Sequence, residues 1–264
     1  MAAAGARDVG VGASAGVVSG LFGVGGGIVL VPYLVLVRGW EQKRAQATAL
    51  VMVAMAATAG LIPYARSGLV VWAAAAAILI GGLIGAVVGS AIVARVRSWA
   101  LQIGFAVLLA VAALRLVTAP VPEGAAEATV MTPGLAAAYL ASGIGMGVLS
   151  ALFGIGGGIL LVPLLVAVFG YDQRLAAGTS LAVMGLIALM GAVRQGAHGQ
   201  TDWRAGALLG VGGAVGGVAG ALLAQVLPLS VLTWLFALLL IVTAVRLARA
   251  GWKARRALGP RDSA

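Results

Sequence analysis

Long apolar runs separated by short polar clusters divide the chain. The first uncharged run extends from Val9 to Val37, between Asp8 and Arg38. As one helix it would be roughly 44 Å long, against a hydrocarbon core of ~30 Å. That is too long for one upright crossing and too short for two. Its middle reads Leu21-Phe22-Gly23-Val24-Gly25-Gly26-Gly27, and each glycine costs about 1 kcal/mol against alanine inside a helix. The pattern predicts a helix, a break and a second helix, at membrane depth. A polar loop, Arg38 to Arg44, follows. Further apolar runs predict helices over Ala45–Ala65, Leu69–Ala94 and Trp99–Leu114. After the polar linker Pro120–Pro133, which carries Glu123 and Glu127, the order restarts. A second broken run lies in Gly134–Phe169. Helices are predicted over Leu175–Val193, Ala205–Val226 and from Pro228 to Arg246, with a polar loop at Arg194–Arg204.

The restart is a duplication. Gly16 to Pro32 reads GVVSGLFGVGGGIVLVP and Gly147 to Pro163 reads GVLSALFGIGGGILLVP, identical at thirteen of seventeen positions. The match continues without a gap at an offset of 131. Gly39 meets Gly170, Thr48 meets Thr179, Trp72 meets Trp203, and Gly81, Gly85 and Gly89 meet Gly212, Gly216 and Gly220. The fold expected is an all-α integral membrane protein of two homologous repeats. Each repeat is a Gly-broken helix pair followed by three transmembrane helices. Residues 1–119 form the first repeat, 120–133 the linker, 134–250 the second repeat and 251–264 a basic tail, all within one membrane domain.

Composition fits this reading: 62% of residues are hydrophobic and 9% charged, against about 25% charged in a soluble domain. Nothing resembles a cleavable leader, and no polar segment is long enough for a separate soluble domain. The net charge of +10 would suggest nucleic acid in a soluble protein. Here the basic residues flank apolar runs, where the positive-inside rule puts them. There is no cysteine and one histidine, which argues against a metal site, and no cofactor is expected. No paired carboxylate, nucleophile–base set or nucleotide-binding motif is present, so neither an enzyme nor an ATPase is expected.

Two topologies are open. If each broken run crosses fully, the repeats are parallel and the basic residues divide eleven to six. Removing the C-terminal cluster, from Arg246 to Arg261, abolishes that bias. If each broken run dips in and returns, the repeats are inverted and the division is fourteen to three, with only Arg66, Arg115 and Arg174 on the poorer side. The second reading follows the positive-inside rule. It puts both termini in the cytoplasm, the linker outside, and the two breaks tip to tip near the midplane.

Helix starts at Gly-rich backbone expose N–H groups and the positive end of a dipole to an approaching anion. Substrate contacts are therefore expected at Gly23, Gly25, Gly26 and Gly27, and at Gly154, Gly156, Gly157 and Gly158. Ser19 and Ser150 lie one turn before the breaks, and Thr48, Thr179 and Ser180 are further candidates. For each hydroxyl the competing reading is a bond to its own helix carbonyl. The spaced glycines are read as close helix packing, and Pro32 and Pro163 as kinks or hinges. Arg194, Gln195 and His198 have unlike counterparts, Pro63, Tyr64 and Ser67, which makes them a candidate gate or proton site, or plain interfacial loop residues.

The doubled G-x-x-S-G/A-L-F-G-V/I-G-G-G-x-x-x-V-P pattern resembles that of the TauE/SafE family of sulfite exporters. The resemblance covers essentially the whole chain. It implies a multi-pass permease of the bacterial inner membrane that moves small sulfur-containing anions such as sulfite or organosulfonates. A coupling proton and homo-oligomers are within that expectation. The alternatives are a passive anion channel of similar architecture, or a permease for a carboxylate or another inorganic anion.

Overall fold

The computed structural model of the chain describes residues 2–93, 98–118, 132–153 and 158–257, and among them every regular element is helical. The first half supplies α1 (Ala2–Phe22), α2 (Gly27–Pro32) with a π-helical continuation at Tyr33–Val37, α3 (Gln42–Arg66), α4 (Trp72–Val93) and α5 (Ser98–Thr118). The second supplies α6 (Pro133–Phe153), α7 (Gly158–Phe169), α8 (Gln173–Ala197), α9 (Trp203–Val226) and α10 (Leu229–Ala257). Helices α3, α8, α9 and α10 are long and apolar enough to cross a membrane. The outer surface agrees with lipid contact. Leu36 is 81% exposed and Val226 83%, in company with Val37, Val87, Val168 and Val215. Exposed apolar side chains in this number would associate in water. The exposed indoles Trp72, Trp203 and Trp252 lie near helix ends, where amphipathic rings suit a bilayer interface.

Three helix ends differ from the sequence expectation. Helix α1 begins at Ala2, so Asp8 lies inside a helix and is buried, where the pattern placed every acidic residue outside the apolar spans. Helix α8 runs on to Ala197 and absorbs Arg194 and Gln195. Helix α10 continues to Ala257, beyond the expected end at Arg246. Arginine and lysine are good helix formers, so charge ended the apolar run without ending the helix.

The core is built by close backbone approach. A Cβ added to Gly12, Gly16 or Gly20 of α1 would strike the backbone carbonyls of Leu209, Gly213 or Gly217 on α9. Gly212, Gly216 and Gly220 of α9 stand likewise against Val9, Ala13 and Val17. Gly81 and Gly85 of α4 meet Leu140 and Ile144 of α6 in the same way. Small residues at spacing four permit this contact without the bulk of side chains. Each broken pair thus packs on a long helix of the opposite half, α1 on α9 and α6 on α4, while α3 packs on α8 and α5 on α10.

Both broken pairs are hairpins. The Arg38 guanidinium, just past the π-helical segment, donates to Asp8 of α1 at 2.7 Å. The chain therefore returns to the end from which α1 started. In the second pair, Tyr139 of α6 stacks near Phe169 at the end of α7, with ring centroids 4.4 Å apart. Its hydroxyl shares a 2.6 Å hydrogen bond with that of Tyr171.

Side-chain bonds sort the helix ends into two groups. At one end Arg44 of α3 pairs with Asp202 before α9 at 2.8 Å. At the other, Ser67 after α3 bonds Gln225 of α9 at 2.7 Å, and Arg174 of α8 donates to the carbonyls of Ala224 and Leu227. Helices α3 and α8 therefore start at opposite ends.

Candidate functional site

The break between α1 and α2 is closed by glycine geometry. Gly25 and Gly26 have φ of +79° and +55°, a left-handed region that costs an L-residue roughly 1–2 kcal/mol. A Cβ on Gly26 would also meet the backbone of Ala15, so the return arm starts alongside α1, two turns below its tip. The Gly23 N–H donates to Ser19 O at 2.8 Å, and the Gly27 N–H donates to Gly25 O. The N–H groups of Val24, Gly25, Gly26 and Ile28 meet no acceptor among the described residues. Residues 23 to 26 are nevertheless buried, and an unpaired buried N–H is rare enough to require a reason.

Three elements surround this turn near the middle of the molecule. On α3, a Cβ at Gly25 would lie 3.1 Å from Val53. On α8, the same Cβ would lie 3.3 Å from Met184, and the Ser180 hydroxyl donates to Gly23 O at 2.7 Å. From the second break, the first residue of α7 arrives: a Cβ on Gly158 would stand 2.9 Å from Val24 O. Both Val53 and Met184 are eleven residues into helices of 25 residues, so the turn sits at about half their height. The start of α7 and the Val24–Gly26 backbone therefore share one buried volume.

The candidate residues divide accordingly. Gly23, Gly25, Gly26, Gly27, Gly158 and Ser180 come together at the turn. Ser19 is fully buried one helical turn below it, and its hydroxyl has no hydrogen-bond partner among the described residues. Gly154, Gly156 and Gly157 lie outside the described residues, as does the side chain of Ser150. Thr48 and Thr179 stand elsewhere. The Thr48 hydroxyl accepts from the Asp202 N–H at 3.0 Å, and the Thr179 hydroxyl from the Val71 N–H at 3.1 Å. Each thus braces the entry to a long helix, α9 or α4. Pro32 lies where α2 widens into the π-helical segment, whereas α7 continues as α-helix through buried Pro163. Arg194 and Gln195 sit in the last turn of α8, and exposed His198 bonds Arg194 O through Nδ1 at 2.8 Å. They lie at the end of the molecule, remote from the turn.

Sequence reasoning missed two groups. Tyr64 is fully buried and donates to Gly20 O at 2.9 Å, steadying the last turn of α1. Its counterpart at the 131 offset is Gln195, an unlike pair that could have flagged it. The second group is the ion pair of Asp8 with Arg38, whose counterparts are Tyr139 and Phe169. Both residues had been read as boundaries of an apolar run and never as partners.

The profile of the sulfite exporter TauE/SafE family matches residues 2–116 and 124–263, nearly the entire chain. This protein belongs to the TauE/SafE family. A relative from Xylella fastidiosa (strain 9a5c), named a probable membrane transporter protein, is 32% identical over 249 residues, covering 92% of this chain and 95% of its own. The probable membrane transporter protein YunE of Bacillus subtilis is 24% identical, covering 91% of this chain and 96% of its own. No solved structure matches the chain. As a TauE/SafE protein with apolar spanning helices, it is a membrane transporter. The first copy of the glycine motif that carried the resemblance forms the buried turn, and the first described residue after the second break, Gly158, packs against it.

Proposed function

We propose that this protein is a secondary transporter for a small sulfur-containing anion, such as sulfite or an organosulfonate, and that the substrate binds at the paired helix breaks. The observation that carries the reading is the set of buried N–H groups at Val24, Gly25 and Gly26 that meet no acceptor among the described residues, beside a Ser19 hydroxyl that likewise meets no partner among them. An oxyanion supplies several acceptor oxygens to such donors, which are fixed in place and need no counter-charge. Ser180 is committed to Gly23 O and acts by holding the turn. The burial of residues 23–26 favours a carrier over an open channel, because substrate reaches them only after the packing shifts.

The inverted arrangement has independent support. Asp8–Arg38 and Arg44–Asp202 each join residues that the eight-crossing topology would put on opposite sides of the bilayer. So does Ser67–Gln225. Hairpins entering from opposite faces, with the start of α7 against the first turn at half height, suit alternating access around one site. The matching of α1–α5 with α6–α10 at the 131 offset supports two repeats. In this reading the protein lies in the bacterial inner membrane with both termini in the cytoplasm.

A thermal-shift series on detergent-purified protein tests the assignment with sulfite, sulfate, thiosulfate, taurine, sulfoacetate, acetate and chloride. A ligand at about 100 times its Kd stabilises the folded state by ~2.7 kcal/mol, a shift easily read. The expected result is stabilisation by one sulfur oxyanion or sulfonate and none by chloride. Folded protein that responds to none of the seven would overturn the anion site.

A further inference from the structure

The two hairpins are closed at their bases by different chemistry. At the base of the first, Arg38 pairs with Asp8 while its guanidinium lies 5.7 Å from the Trp40 ring centroid. The Arg44 guanidinium lies over the same indole at 4.5 Å and pairs with Asp202. One indole thus joins two ion pairs, and the chain of contacts runs from α1 through the return arm to α3 and the start of α9. At the 131 offset, Asp8, Arg38 and Trp40 become Tyr139, Phe169 and Tyr171, and the ion pairs vanish. The second base is held by ring contacts at 4.4, 6.5 and 6.4 Å and by one hydroxyl–hydroxyl bond. The backbone beneath is alike in both. Trp40 N–H donates to Leu34 O at 3.0 Å, and Tyr171 N–H donates to Leu165 O at 3.2 Å.

We propose that Asp8, Arg38, Trp40, Arg44 and Asp202 form an ionic latch that controls opening of the first hairpin only, so that the two ends of the transporter open under different conditions. The ionic latch is reachable by solvent. The side chains of Arg38 and Arg44 are 31% and 53% exposed, and that of Asp202 is 26% exposed. Soluble anions can compete for both guanidinium groups, and salt screens exposed pairs strongly. Asp8 is buried, so its own pair is screened less, and the Arg44–Asp202 pair yields first. The Tyr139–Phe169–Tyr171 latch contains no ionised group and has no such response. Because the two latches answer to different variables, ionic conditions bias which end of the molecule is open. This step goes beyond the substrate assignment and does not require it.

The native chain has no cysteine, so single-cysteine labelling reports on each latch separately. Leu34 and Leu165 occupy matched positions, 1% and 0% exposed, each the acceptor of the bond described above. Leu34→Cys and Leu165→Cys are labelled with a maleimide on purified full-length protein, without substrate, from about 0.01 M to about 1 M sodium chloride. Across that range the screening length falls from about 30 Å to about 3 Å. The expected result is a several-fold rise in the labelling rate of Leu34→Cys and a constant rate for Leu165→Cys. Adding Asp8→Asn to Leu34→Cys should give fast labelling already at low salt. The charge exchange Asp8→Arg with Arg38→Asp should restore slow labelling. If Asp8→Asn fails to fold, Arg44→Gln tests the more exposed half of the latch with the same expectation. Equal salt responses at both cysteines, or an unchanged Leu34→Cys rate in the latch variants, would overturn the proposal. A failed substrate screen would leave these outcomes untouched.

Discussion

Ser19 and Ser180 are both buried hydroxyls beside one turn, yet they do different work. Ser180 donates to Gly23 O, a neutral hydrogen bond worth about 1 kcal/mol net. Ser180→Ala should lower thermal stability. Ser19 has no partner among the described residues, so Ser19→Ala removes an unsatisfied group, and stability should stay level or rise. A hydrogen bond to a charged ligand is worth ~1.5–3 kcal/mol. Ser19→Ala should therefore weaken anion binding by roughly ten- to a hundredfold. The pair is checked by melting temperature and anion titration on the same preparations. Binding unchanged in Ser19→Ala would remove that hydroxyl from the site. The spacing of Ser19, four residues before Gly23, sets it one helical turn from the break. The sequence could not separate Ser180 from Thr179, because adjacent hydroxyls on a helix face different neighbours only once the packing is known.

At the scale of elements, glycine spacing made the helix breaks and the close-packing faces of α4 and α9 legible in advance. Three glycines in a row break a helix, and glycines four apart on one face admit another backbone. Partners were not legible, since a stripe does not name the helix it meets. Thr48 and Thr179 show the same limit: their matched positions reflect a matched structural task, bracing the starts of α9 and α4. The start of α9 also supports a pH prediction. The Asp202 carboxylate is held below its ordinary pKa, first by the hydrogen bond it accepts from the Ala205 N–H and then by Arg44. A depressed carboxylate stabilises the fold above its unfolded value, about 3.9, and loses that contribution as pH falls through the folded value. Wild type should therefore melt above Asp202→Asn by a constant margin from neutral pH down to about 4. The margin should close only at more acidic pH. A margin that closes near pH 6 would overturn the assignment to Asp202.

Over the whole molecule, the decisive question is which ends of the helices share a side of the bilayer. Three contacts decide it, Asp8–Arg38, Arg44–Asp202 and Ser67–Gln225, and each joins residues that only the hairpin topology groups together. The first hairpin base and the Arg44–Asp202 pair lie at one end. Ser67, Gln225, Arg174 and Leu227 lie at the other. The same division gives fourteen basic residues against three, an asymmetry that the positive-inside rule assigns to the cytoplasm. Charge count and contact geometry are independent arguments, because one concerns insertion and the other packing. Together they predict that the Glu123–Glu127 linker is periplasmic while the C-terminus is cytoplasmic. An alkaline phosphatase fusion in the linker should be active and a green fluorescent protein fusion there dark, with the reverse pattern at Ala264. A cytoplasmic linker would turn the first hairpin into a full crossing. The Asp8–Arg38 bond would then have to bridge the bilayer, which side chains of that length cannot do.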